Sequence, residues 1–224
     1  MGLRAIFFDA GNTLVFADRE KTLAPLISRG IEVPQETIFA SERAARRFRD
    51  ANADLDPKHT DQQYWDTYYE ELLTHYPSHR DLLPDLVKAA RTSANWCMVP
   101  AGTREHLLAL NKKYRLGVIS NADGRIADLF DRLGLGDCFE TVTDSGRVGF
   151  QKPHPEIFRA ALRSLAVAAE ESVYVGDVYS IDYTGARGVG MHAIVMDPFG
   201  TYAQNGIPRV TELAEIEPFL QKFV

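Results

Sequence analysis

The stretch RAIFFDAGNTLV, residues 4–15, leads an apolar run, Ala5 to Phe8, into one carboxylate, Asp9, at a turn built from Gly11 and Asn12. Two further carboxylates, Asp177 and Asp182, stand in VGDVYSID, far along the chain. Brought together, the three would raise one another's pKa unless something positive sat between them. A divalent cation meets that need. Mg²⁺ takes oxygen ligands and keeps several waters, so two carboxylates and a backbone carbonyl are sufficient from the protein. Lys152, in GFQKPHPEIF, is a second candidate counter-charge. Ser120 and Asn121, at the end of GVISN, are expected to open the next helix, where free N–H groups and a hydroxyl suit a phosphate. Metal, carboxylate, lysine and anion cradle together point to phosphoryl transfer, with Asp9 as nucleophile and an aspartyl-phosphate intermediate.

These residues meet only if the elements between them form one sheet. Residues 4–8 read as a buried strand. From Pro100 onward, strands and helices alternate. A helix over TREHLLALNKK precedes the strand LGVIS; a helix over RIADLFDRLG precedes a short strand near TVTD. The helix PEIFRAALRSL, the strand SVYVGD, a helix over IDYTGARGVG, the strand HAIVM and a closing helix LAEIEPFLQKF follow. Apolar strands alternating with amphipathic helices predict a parallel sheet covered on both faces, a Rossmann-like doubly wound α/β fold. Ligands of such folds collect outside the carboxyl ends of the strands. Asp9, Ser120 with Asn121, and Asp177 each end a strand, so the three loop tips should converge on one edge.

Between Asp18 and Asn95 the pattern is helical. In DQQYWDTYYEELLTHY the pairs Tyr64/Trp65, Tyr68/Tyr69 and Leu72/Leu73 recur every four residues and mark one apolar face. Pro34, Pro57, Pro77 and Pro84 divide the region into four expected helices. The expected organisation is therefore an α/β core from residues 1–16 and 98–224, interrupted by an all-helical insert at 17–97.

The totals narrow the function classes. The chain has 224 residues, 45% hydrophobic and 25% charged, which is ordinary for a globular protein with a sizeable core. A net charge of -6 provides no general attraction to nucleic acid or an anionic membrane. A small-molecule partner is favoured. No apolar run approaches the ~20 residues that span a bilayer, and the first residues do not read as a secretory signal, so a cytoplasmic protein is expected. Cys97 and Cys138 form no CxxC pair, and both are expected to be buried. Oligomeric state is not legible.

The four stretches FFDAGNTLV, GVISNADGRI, SGRVGFQKPHPEIF and VYVGDVYSIDYTGARGVGM, in that order, resemble the four motifs of the haloacid dehalogenase (HAD) superfamily, in its subfamily with a helical cap inserted after the first motif. The resemblance spans nearly the whole chain. It implies that Asp9 is the nucleophile and Ser120 the phosphate-binding hydroxyl, with Asn121 beside it. It implies that Lys152 neutralises nucleophile and phosphate, that Asp177 binds Mg²⁺ directly with Asp9 and the Gly11 carbonyl, and that Asp182 holds the metal from the outer shell. The implied function is Mg²⁺-dependent hydrolysis of a small phosphorylated metabolite.

The sequence departs from the phosphatase pattern at Gly11, where these phosphatases carry a second aspartate that protonates the leaving group and then activates water. Such assistance is worth ~10²- to 10⁴-fold in rate. The metal ligand expected from this position is a main-chain carbonyl, which glycine retains. Asp123 is the candidate replacement acid, its alternative role being a helix N-cap for GRIADLF. Two other readings stay open. One is another HAD reaction: dehalogenases lack Asp177 and Asp182 equivalents, and phosphonate hydrolases use a cap lysine. The other is a non-catalytic module that binds phosphate or a partner. His154, where the family has aspartate, is expected to begin the next helix on the surface. The cluster Arg43, Arg46, Arg47 and Arg49 is expected to be solvated helix charge paired with Glu42 and Asp50.

Overall fold

The computed structural model describes residues 2–53, 57–204 and 206–223. Among them the chain forms eight strands: β1 (Ala5–Phe8), β2 (Phe16–Ala17), β3 (Trp96–Met98), β4 (Arg115–Ser120), β5 (Thr141–Asp144), β6 (Ser172–Gly176), β7 (His192–Met196) and β8 (Arg209–Val210). Six of them make one sheet in the order β5-β4-β1-β6-β7-β8, with every neighbour parallel. All four residues of β1 and all five of β6 are buried, as strands covered on both faces require. The doubly wound α/β class expected from the alternation is the observed one.

The chain divides into two compact units. The first, Met1–Val15, Val99–Pro198 and Tyr202–Val224, holds the sheet. One face of that sheet is covered by the helix Pro155–Ser164, whose Ile157, Phe158, Ala161 and Leu162 pack with Phe7, Ile119 and Tyr174. The second unit, Phe16–Met98 and Phe199–Thr201, is mainly helical. Its core gathers Leu26, Tyr64, Tyr68, Tyr69, Leu72, Leu73 and Leu86 from the helices Ala24–Ile27, Pro57–Thr74 and Leu83–Arg91. The four-residue recurrence of aromatic and leucine pairs is thus a packing face.

Met98 and Phe199–Thr201 group with the helices, although the sequence reading assigned residues from 98 onward to the sheet. Phe199 explains part of this. Its ring meets Phe39 edge-on at 5.2 Å, the Arg46 guanidinium lies 4.8 Å from its centre, and its carbonyl accepts from Arg43 Nη1 at 3.2 Å. Arg46 also corrects the expectation of solvated charge: it is fully buried, with Nε 3.8 Å from the buried Glu42 carboxylate. Cys138 is buried but Cys97 is partly exposed. No helix among the described residues is long and apolar enough to cross a membrane.

Candidate active site

In the sheet order, the chain leaves β1 toward β4 and leaves β6 toward β7, so the winding reverses between β1 and β6. A crevice opens beyond the carboxyl ends of strands at such a point. Asp9 follows β1 and Asp177 follows β6, and the Asp9 N–H donates to the Val175 carbonyl at 2.8 Å. Asp182 stands five residues after Asp177. A single π-turn over Tyr179–Tyr183 carries it back to the strand end, where its Oδ2 accepts from the Val178 N–H at 2.9 Å. Such turns are rare and concentrate at functional sites. Gly176 leaves the room this return needs: a Cβ there would stand 2.5 Å from Asp182 Cγ.

Asp9, Asp177 and Asp182 are all buried, and each offers an oxygen within 4.8 Å of the other two. Lys152, 2% exposed, enters this cluster. Its Nζ lies 2.8 Å from Asp9 Oδ1, 2.8 Å from Asp182 Oδ1 and 2.8 Å from Tyr174 Oη. Burial raises the Asp9 carboxyl above its usual range; Lys152 opposes that shift, and the Asp182 charge adds to it. For Lys152, burial works against the ammonium but the Asp182 and Asp9 charges outweigh it, so its pKa is raised and the side chain is a cation at neutral pH. With all groups ionised, three carboxylates face one ammonium. The all-oxygen donor set and its surplus negative charge fit a hard divalent cation.

The loop after β4 differs from its expected form. Ser120 is buried at the strand end, paired in register with Asp144 of β5, but no helix starts there. The helix begins at Ile126, after a turn in which Gly124 adopts φ 94°. Around the helix start that does form, Gly124 N–H and Ile126 N–H donate to the Asp144 carboxylate at 3.0 and 3.2 Å, and nearer Ser120 the Ala122 N–H donates to Ser145 Oγ at 3.0 Å. Both ends of the Asn121 amide engage the Lys152 backbone. Nδ2 donates to its carbonyl at 3.0 Å, and Oδ1 accepts from its N–H at 2.7 Å. Asn121 therefore holds the lysine loop against the end of β4.

A family model described as a haloacid dehalogenase-like hydrolase matches residues 3–190. The chain belongs to the haloacid dehalogenase-like hydrolases. It is 32% identical over 210 residues to haloacid dehalogenase-like hydrolase domain-containing protein 3 of Xenopus laevis, covering 88% of this chain and 86% of that protein. It is 30% identical over 213 residues to glyceraldehyde 3-phosphate phosphatase of Methanothermobacter thermautotrophicus, covering 90% and 89%. The solved structure of the putative HAD-hydrolase YfnB from Bacillus subtilis, bound to magnesium, has a TM-score of 0.68 at 19% identity over 98% of this chain and 99% of that one. At that identity the likeness concerns fold.

Three further positions singled out in the sequence of this hydrolase have defined surroundings. Gly11 lies in a tight turn: it bridges to Val15, and Asn12, at φ 51°, donates its N–H to the Val15 carbonyl at 2.9 Å. Asparagine tolerates that left-handed conformation. Asp123 is exposed and paired with Arg125, whose hydrogen bond holds its carboxyl below the usual range. A carboxylate so held is a poor proton donor at neutral pH, and Asp123 caps no helix, Asp144 having taken the amides. Neither expected role of Asp123 is supported. His154 is the N-cap of the helix Pro155–Ser164, its Nδ1 accepting from Glu156 N–H at 3.2 Å while its ring stacks on Phe150 at 4.5 Å.

Sequence reasoning missed Tyr174 and Asp144. Tyr174 was absorbed into the apolar run SVYVG. A phenol in a fully buried strand needs a polar partner, and that requirement was the available signal. Asp144 ends β5 as Asp9 follows β1, and the strand-end rule already applied to the other loops would have singled it out.

Proposed function

We propose that this hydrolase is a Mg²⁺-dependent phosphatase of small phosphorylated metabolites, working through an aspartyl-phosphate on Asp9. The observation that carries the proposal is the meeting of Asp9, Asp177, Asp182 and Lys152 at the reversal of the sheet, their carboxylate oxygens within 4.8 Å of one another. The phosphatase named among its relatives acts, by that name, on a phosphorylated three-carbon aldehyde, which supports a small sugar- or polyol-type phosphate.

In the first half-reaction an Asp9 oxygen attacks phosphorus. The bond from phosphorus to the substrate oxygen breaks, and that oxygen leaves with the bonding pair and takes up a proton. In the second, water attacks the same phosphorus, the acyl-phosphate bond breaks, inorganic phosphate leaves and the Asp9 carboxylate returns. Lys152 keeps the attacking carboxylate anionic in its buried setting and opposes the charge gathering on phosphoryl oxygens. The Ser120 hydroxyl is assigned to the phosphate. Asp9, Asp177 and the Gly11 carbonyl would hold Mg²⁺, with Asp182 outside them, and the bound ion would supply charge neutralisation of the transferring group.

Gly11 offers no proton to the departing oxygen. The reaction therefore favours substrates whose leaving oxygen is stable as an anion or draws its proton from the substrate or solvent. The test is phosphate release from a panel of phosphomonoesters and acyl phosphates with and without Mg²⁺, for the wild type and Asp9→Asn. Metal-dependent release that the asparagine variant lacks is expected. Turnover retained in Asp9→Asn refutes the covalent mechanism, and metal-independent release refutes the Mg²⁺ assignment.

A further inference from the structure

We propose that Tyr174 is a positioning residue for Lys152, an assignment that rests on the phosphatase reading above. An ammonium has three protons. Three oxygens stand 2.8 Å from Lys152 Nζ: Asp182 Oδ1 and Tyr174 Oη, which accept hydrogen bonds from it, and Asp9 Oδ1, its second ion-pair partner. Two of the three belong to anions and one to a neutral phenol. The phenol fixes the direction of the ammonium without cancelling its charge, which a third carboxylate would do.

Tyr174 is suited to this task because nothing around it is loose. It sits mid-way along β6, paired in register with Phe7 of β1 on one side and Ala193 of β7 on the other. Its side chain is fully buried, and its ring meets Phe158 edge-on at 5.4 Å. Lys152, by contrast, stands on a connecting segment and reaches the cluster through a flexible four-carbon stem. Burial foremost, with the Asp182 and Asp9 charges, keeps the phenol protonated. Its single proton has two acceptors in reach, Asp182 Oδ1 and the Ile119 carbonyl, both at 3.1 Å. Either choice leaves an Oη lone pair for Lys152. Ile119 directly precedes Ser120, so one hydroxyl joins the end of β4, the lysine and Asp182. With Tyr174 and Asp182 accepting hydrogen bonds from it, Lys152 is held with its Nζ 2.8 Å from Asp9 Oδ1, in ion-pair contact with that carboxylate and beside the phosphoryl group Asp9 receives.

Tyr174→Phe removes only this hydroxyl and keeps the ring against Phe158. For the full-length chain with p-nitrophenyl phosphate and Mg²⁺, kcat is expected to fall about 10- to 100-fold, the range for losing a hydrogen bond to a charged group. KM should stay within about twofold, because Tyr174 is assigned to no contact with the phosphate. An unchanged kcat overturns the proposal. So does a loss in which KM rises in the same proportion, since that marks general damage to the site. A second measurement needs no turnover: ¹⁵N NMR of lysine ammonium groups in metal-free protein. The Lys152 signal, assigned by its loss in Lys152→Met, is expected to be protected from solvent exchange in the wild type and exposed in Tyr174→Phe. An unprotected wild-type signal overturns the proposal whether or not the variant folds. A wild type inactive on every phosphate ester refutes the phosphatase reading instead, and the ammonium signal then decides the role of Tyr174 by itself.

Discussion

Replacing Lys152 with methionine keeps most of the side-chain volume and deletes the charge between Asp9 and Asp182. Those carboxylates then face each other with oxygens within 4.8 Å in a buried site. At an effective dielectric near 20, two unit charges at that separation repel by about 3.5 kcal/mol. This agrees with the ~3–5 kcal/mol lost when a buried ion pair is deprived of one partner. For a chain of this size each kcal/mol lowers Tm by about 2–4 °C, so metal-free Lys152→Met should melt about 6–20 °C below the wild type. The pH dependence has a definite sign. Loss of the cation raises the Asp9 carboxyl pKa further above its unfolded value, because Lys152 is the group that opposes the shift caused by burial. The folded form then binds more protons than the unfolded form across that window, and stability falls as pH rises through it. Acidification toward pH 5 should therefore recover part of the loss. Mg²⁺ should recover part of it at neutral pH, and its stabilising shift should exceed that of the wild type, because the ammonium no longer competes for the same oxygens. The assay is scanning calorimetry of both proteins at pH 5 and 7.5, with and without Mg²⁺. Equal metal-free stabilities, or an equal Mg²⁺ shift in the two proteins, would refute the assignment of one electrostatic centre.

Three further outcomes follow from the same structure. Gly176→Ala would bring a Cβ to 2.5 Å from Asp182 Cγ, whose carboxylate is held by Val178 and Lys152; a loss of ~1–3 kcal/mol on denaturant unfolding and at least a tenfold rise in the Mg²⁺ requirement are expected. Gly11→Asp should raise kcat/KM for alkyl phosphates by ~10-fold or more while changing p-nitrophenyl phosphate little, since only the former has a leaving group that needs a proton; equal changes for both would argue against proton donation from this position. In the helical unit, burial raises the Glu42 carboxyl above its usual value although Arg46 opposes the shift, so stability should fall as pH rises from the ordinary glutamate range through the raised one; Glu42→Gln, still able to accept from Tyr64, should flatten that slope in chemical unfolding.

The sheet was legible because its strands are short apolar runs that end where a polar residue begins. HAIVM matches β7 residue for residue, and the short strand expected near TVTD is β5. The β2–β3 ribbon was not legible, since it consists of two and three residues brought together from opposite ends of the helical insert. A pattern that short has no period to detect. Arg46 failed for a related reason. Its helix carries a run of arginines that reads as a solvated face, but Glu42, one turn away, and Phe199, far along the chain, cover it. The expected helix start at Ser120–Asn121 was overruled by Asp144 of a neighbouring strand, which supplies the capping carboxylate and moves the first turn to Ile126. In each case a partner distant in sequence decided the local outcome.

The charge balance of the site and the residue at position 11 bear on each other. A hydrolase with a proton donor beside its nucleophile divides the work between acid catalysis and charge stabilisation. With Gly11 in that place, and Asp123 held as an exposed carboxylate by Arg125, neither position offers a proton donor, and the proposed mechanism leans on electrostatic stabilisation. Electrostatic stabilisation depends on dipoles and charges fixed before the reaction begins. The groups around Asp9 have that character: an ammonium hydrogen-bonded to Tyr174 and Asp182 and 2.8 Å from Asp9, a phenol locked in the central sheet, and a carboxylate returned to the strand end by a π-turn for which Gly176 leaves the room. A site that relies on fixed charge should lose most of its rate when Lys152 or Tyr174 loosens, and should discriminate among substrates chiefly by how well the leaving oxygen bears negative charge.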